Sequence, residues 1–167
     1  MKKLLAIFLA LFVGLSMSAQ IQRTFLGFTL GTTTKSEVYN KYKDKKYFLE
    51  DENGNYVVGA LEFAGQKWDV TTFYFYNNRL LTVNFALLEY STPLYVLDSI
   101  WENLKARILN KYSDYNYYFD SEYLLFTDNK TRLSLSNLYA SDTKALCLMY
   151  TDEALIEQLK KEEDSNL

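Results

Sequence analysis

The residues best placed to do chemistry are few. Ser141-Asp142-Thr143-Lys144 has the Ser-x-x-Lys spacing in which a lysine one helical turn beyond a serine takes its proton and turns it into a nucleophile. That chemistry needs the serine on a helix, together with Ser-Asp-Asn and Lys-Thr-Gly companions. Here the four residues fall between two strand-like runs and the companions are missing, so a polar hairpin is expected. Asp51-Glu52-Asn53-Gly54-Asn55 sets oxygen donors at alternate positions, as a calcium loop does. Its glycine stands fourth rather than sixth, and the twelfth residue, Glu62, belongs to a strand, so the expectation is an Asn-Gly turn. The chain has no histidine, which excludes Ser-His-Asp and Cys-His activation, imidazole acid–base work and His-ligated zinc. The single cysteine, Cys147, sits in Ala145-Leu146-Cys147-Leu148-Met149 and reads as a small buried hydrophobe. No catalytic residue, metal site or cofactor is assigned.

Aromatic side chains are the other chemical asset: 15 Tyr, 11 Phe and 2 Trp make up 17% of the chain. Such rings offer large contact area, and Tyr and Trp add a polar handle, which suits binding surfaces. Where they fall depends on strand register. Tyr56 to Leu88 reads as a three-strand antiparallel meander broken by turns at Gly65-Gln66 and Asn77-Asn78. Two-residue loops would set Ala64 opposite Lys67 and Tyr76 opposite Arg79. One face then collects Leu61, Phe63, Trp68, Val70, Tyr74, Tyr76, Leu81, Val83, Phe85 and Leu87 and needs a cover. The wetter face would carry Phe73, Phe75 and Leu80 as an apolar cluster, with Phe73 opposite Thr82, and would set Glu62 opposite Asp69, a like-charge pair near Lys67. Candidate binding residues are therefore Phe73, Phe75 and Leu80, joined by Tyr115, Tyr117 and Tyr118 of a Tyr-rich segment in the second half.

Several elements must position these residues. Thr34-Lys35-Ser36-Glu37 is a capping box that opens a short helix to about Lys43. Thr92 as N-cap and Pro93 as first helical residue open a longer helix over 93–111, whose Leu97, Ile100, Trp101, Leu104 and Ile108 form one apolar stripe. Strands follow around 115–119 and 123–126, then after a turn at Asp128-Asn129-Lys130 come 132–139 and 144–150. A last helix starts at Thr151 or Asp152 and carries Leu155 and Leu159. Helix then strands, twice over, predicts an α+β domain: an antiparallel sheet with helices packed on one face, built from two loosely repeated α-β-β-β units with halves 20–90 and 91–167.

The chain opens with Lys2 and Lys3, an apolar run from Leu4 to Leu15 and the small residues Ser16-Met17-Ser18-Ala19. This is the pattern of a secretory signal peptide over 1–19 cut after Ala19; the run is shorter than the about 20 residues a membrane span needs. A periplasmic or secreted protein with no membrane span after cleavage is the expectation. A single exported domain with one cysteine must be held by packing rather than disulfides. The net charge of −3, more negative once Lys2 and Lys3 are removed, argues against nucleic acid. A non-catalytic module binding an envelope protein or glycan, or itself, is the leading functional reading; a periplasmic hydrolase or protein inhibitor is the alternative.

Leu26-Gly27-Phe28-Thr29-Leu30-Gly31-Thr32-Thr33-Thr34-Lys35-Ser36-Glu37-Val38 resembles the glycine, Thr/Ser, x-x-Glu-Val helix opening of BLIP-like proteins. That group includes β-lactamase inhibitor proteins and BamE-type outer-membrane assembly lipoproteins. Phe63-Ala64-Gly65-Gln66-Lys67-Trp68 is similar to a Phe-x-Gly-x-x-Trp meander of exported proteins common in Bacteroidetes. The resemblance implies helices on one side of an antiparallel sheet and a binding role in the envelope. The chain departs from the group in lacking a cysteine near Ala19 and a pair of cysteines for a disulfide.

Overall fold

The computed structural model describes residues 20–140 and 143–165; the signal peptide expected over 1–19 with its cut after Ala19, and Ser141 and Asp142 of the Ser-x-x-Lys match, lie outside the described residues. The chain begins with a two-strand ribbon, β1 (Thr24–Phe25) and β2 (Phe28–Thr29). Helix α1 (Lys35–Tyr42) follows, opened by the expected capping box. The Thr34 amide donates to the Glu37 carboxylate at 2.7 Å, and the Glu37 amide donates back to the Thr34 hydroxyl.

Four strands come next: β3 (Phe48–Glu50), β4 (Tyr56–Phe63), β5 (Gln66–Tyr76) and β6 (Arg79–Leu88). Then α2 (Leu94–Lys111) is followed by β7 (Tyr117–Phe119), β8 (Tyr123–Thr127), β9 (Thr131–Ala140) and β10 (Thr143–Asp152), and α3 (Glu153–Ser165) closes the chain. Each half thus gives the main sheet four strands rather than three, because β3 and β7 are strands of only three residues at the two edges. The eight strands form one antiparallel sheet in the order β3-β4-β5-β6-β10-β9-β8-β7. The two meanders join through their last strands, β6 and β10.

Helix α2 starts one residue later than expected: Pro93 holds the N-cap position, its carbonyl accepting from the amides of Val96 and Leu97, and Thr92 makes no cap. Its stripe is as read, with Leu97, Trp101, Leu104 and Ile108 buried and Ile100 partly so. With Val38 and Tyr42 of α1 and Ile21, Phe25, Phe28 and Leu30 of the N-terminal segment, the stripe covers one face of the sheet. That face supplies Val58, Phe73, Val83, Phe85, Leu148, Tyr150, Leu133, Leu135, Leu124 and Phe126. Helix α3 is capped by Asp152, whose Oδ1 accepts from the Leu155 amide at 2.9 Å.

Three local irregularities overturn the expected faces of the first meander. The first turn is Ala64-Gly65, both left-handed (φ 54° and 76°), so Phe63 pairs with Gln66, Glu62 with Lys67 and Leu61 with Trp68. The expected Glu62–Asp69 clash does not exist; Asp69 instead accepts from the Leu88 amide at 2.9 Å. At Ala60, also left-handed (φ 55°), burial alternation reverses: Tyr56 and Val58 are buried before it and Leu61 after it. Its partner strand follows, so Trp68 and Phe73 both reach the core although simple alternation separates them. The Asn77-Asn78 turn does set Tyr76 opposite Arg79 and Phe75 opposite Leu80, but a bulge then leaves Leu81 as the extra residue and pairs Tyr74 with Thr82 and Phe73 with Val83.

Candidate functional site

The expected aromatic cluster is not on the surface. Phe73 is 0% exposed, its ring 5.6 Å from Phe28 and 5.7 Å from Tyr42, because the bulge turned it onto the covered face. Leu80 is also 0% exposed, since Gly31 and Thr33 hydrogen-bond on either side of it, Gly31 amide to Leu80 carbonyl and Leu80 amide to Thr33 carbonyl, each 2.8 Å. Phe75 is half-buried against Tyr56. Tyr115 is half-buried near Tyr112, while Tyr117 and Tyr118 are 53% and 57% exposed on edge strand β7. Four strands separate β5 from β7, so the structure does not bring the two groups together.

Two surfaces take their place. The first is the sheet face opposite α1 and α2. Register aligns one residue from each strand across it: Leu49, Val57, Thr72, Asn84, Met149, Ser134, Leu125 and Tyr118. The neighbouring row is Val70, Ala86, Cys147, Ser136 and Tyr123. Neither row carries a charge. The next row, Tyr74, Thr82, Thr151, Arg132 and Thr127, holds one, and Arg132 is paired with Glu153 at the start of α3 (2.9 Å). Thr72, Ala86 and Ser134 are nearly covered by their neighbours, while Leu49, Val57, Val70, Ser136, Met149 and Tyr118 keep contact with solvent. Cys147 lies among them, and burial pushes its thiol up, so the thiolate is scarce near neutral pH.

The second is a groove of about 770 Å³ at the β3 margin of this face, between Tyr47, Leu49, Val57, Val70 and Tyr90. Its wall depends on Gly59, where a Cβ would stand 2.8 Å from that of Tyr47. The Gly59 amide donates to the Tyr47 carbonyl at 2.8 Å, holding the backbone while the ring stays 61% exposed. Sequence reasoning passed over Tyr47, Leu49 and Tyr90, because β3 is too short to show an alternation. The available signal was the glycine inside Val57-Val58-Gly59-Ala60-Leu61, which marks a close approach in a strand.

Several acidic groups are tied to backbone amides or to neighbouring side chains. Amides of Asn53 and Asn55 donate to Asp51 (3.0 and 2.8 Å), and Asn55 holds its carboxyl below the usual range, which makes the oxygen-rich segment the turn between β3 and β4. The Lys144 ammonium at 2.7 Å and then the Asn137 amide at 3.1 Å lower the carboxyl of Asp98. The Glu122 amide does the same for Asp120. No described helix is long and apolar enough to cross a membrane. Comparison with family models, curated proteins and solved structures gives no match for the chain.

Proposed function

We propose that the protein is a non-catalytic, exported binding module that holds an envelope protein against the uncharged face of its sheet. One observation carries this reading: two rows across the sheet, on the side away from α1 and α2, contain only apolar, hydroxyl, amide and thiol side chains. A broad neutral face suits a folded partner, because no charge has to be desolvated when the two surfaces meet. The carboxylates support a non-catalytic role, since Asp51, Asp69, Asp98 and Asp120 are committed to backbone amides or to Lys144. The resemblance of Leu26–Val38 to the BLIP-like helix opening points to the same kind of role.

The test is site-directed photo-cross-linking in the native cell. A photoreactive phenylalanine at Ser136 or Met149 is expected to capture one discrete partner, and the same group at Glu102 on α2 is expected to capture none. Cross-linking only from α2, or from neither side, would end the proposal. A Cys147→Arg change, which puts a charge in the middle of the face, is expected to abolish capture from Ser136 while circular dichroism stays unchanged.

A further inference from the structure

We propose that the groove beside β3 binds an acidic saccharide, at a margin of the neutral face that shares Leu49, Val57 and Val70 with it but needs no partner bound there. Its most exposed large hydrophobic walls are aromatic: Tyr47 is 61% and Tyr90 74% exposed. Such rings, left in water at the lip of a cavity, match the C–H faces of sugar rings, and the phenol hydroxyls add polar contacts. The volume of about 770 Å³ suits a short oligosaccharide.

Charge decides the class of saccharide. Lys46 and Lys67 border the groove, and neither forms an ion pair among the described residues; the Lys46 ammonium lies 5.1 Å from the centre of the Tyr47 ring. The one carboxylate in the lining, Asp69, already accepts from the Leu88 amide and the Ser91 hydroxyl. Two ammonium groups without an ion pair among the described residues, beside a satisfied carboxylate, favour an anionic ligand in a chain that is otherwise acidic. A lipid tail has no use for cations at the rim. An added peptide strand would bond to the free backbone edge of β3, whereas the groove presents side chains of the sheet face. A sugar ring carrying a carboxylate uses both features: a ring stacks on tyrosine and the carboxylate meets lysine.

The experiment is titration of the purified protein, by calorimetry or NMR, with three acidic oligosaccharides (trigalacturonate, a mannuronate trimer and a hyaluronan tetrasaccharide), with neutral galactotriose and with a hexa-aspartate peptide. At least one acidic sugar is expected to bind saturably, roughly tenfold more tightly than galactotriose, and more weakly as salt rises. Tyr90→Ala and Lys67→Ala, both at exposed positions, are each expected to weaken it about tenfold, while Tyr95→Ala on α2 leaves it unchanged. The proposal is overturned if no acidic sugar binds, if the two groove variants bind like the parent, or if hexa-aspartate binds as tightly as the sugars. Photo-cross-linking from Ser136 reads the neutral face alone, so failure of either proposal leaves the other standing or falling on its own result.

Discussion

Arg23 and Asp152 stand at opposite ends of the folded chain and form an ion pair that ties the N-terminal segment to the start of α3. The guanidinium also donates to the carbonyls of Lys130 (2.6 Å) and Leu30 (3.2 Å) and to the Thr131 hydroxyl (3.0 Å). Asp152 divides its oxygens between Arg23 and the Leu155 amide.

Asp152→Ala therefore removes a helix cap and leaves a half-buried guanidinium short of a partner. A loss of about 2–4 kcal/mol is expected. Asp152→Asn keeps the cap and loses the charge, and should cost clearly less. Urea midpoints of the two variants decide the matter: equal losses would show that the ion pair, not the cap, dominates.

Phe73→Ala should cost about 3–5 kcal/mol, the range for emptying a phenylalanine site in a packed core. Phe75→Ala, at a half-buried position, should cost less. The check is chemical denaturation of both; a Phe73 variant as stable as the parent would contradict its burial between Phe28 and Tyr42.

Ala60 sits exposed at φ 55°, a backbone region that costs a residue with a side chain roughly 1 kcal/mol or more. Ala60→Gly should raise stability by up to about 1 kcal/mol, and Ala60→Val should lower it by about 1–2 kcal/mol. Thermal melts reporting the opposite order would remove the left-handed residue as the cause of the face reversal.

Burial pushes the Tyr42 phenol up to about 12 and raises Tyr150 as well. Below pH 10 both folded and unfolded chains keep these protons, so the stability associated with them is fully present. Between pH 10 and 12 the unfolded chain releases its proton from Tyr42 while the folded one holds it, and stability falls by about 1.4 kcal/mol per pH unit for that group. Urea midpoints at pH 9, 10 and 11 should decline, and the decline should be shallower in Tyr42→Phe. An unchanged slope in that variant would rule Tyr42 out as a source.

Elements with a strong local signature were legible in the sequence. Thr34 and Glu37 named a helix start from two hydrogen bonds within one turn, and Leu97 to Ile108 named a buried stripe from spacing alone. The first meander was harder, because alternation carries a phase forward until something resets it. Ala60, the Ala64-Gly65 turn and the bulge at Leu81 each reset it, and only the glycine is conspicuous by residue type. Each reset moved aromatic side chains between faces, so the candidate site suffered more than the fold. The groove was illegible for a related reason: Tyr47 and Tyr90 are 43 positions apart in the chain and meet only through strands that pair later.

The seam between β6 and β10 joins seven residue pairs, from Ala145 with Leu88 to Thr151 with Thr82. A fragment ending after β6 would present a ten-residue strand with one side unpaired, rich in leucine. Such an edge is a template for any other strand, including a second copy of the same fragment. Covalent union of the halves supplies each with a built-in neighbour at high effective concentration, so one chain reaches the eight-strand width that neither half could safely hold alone.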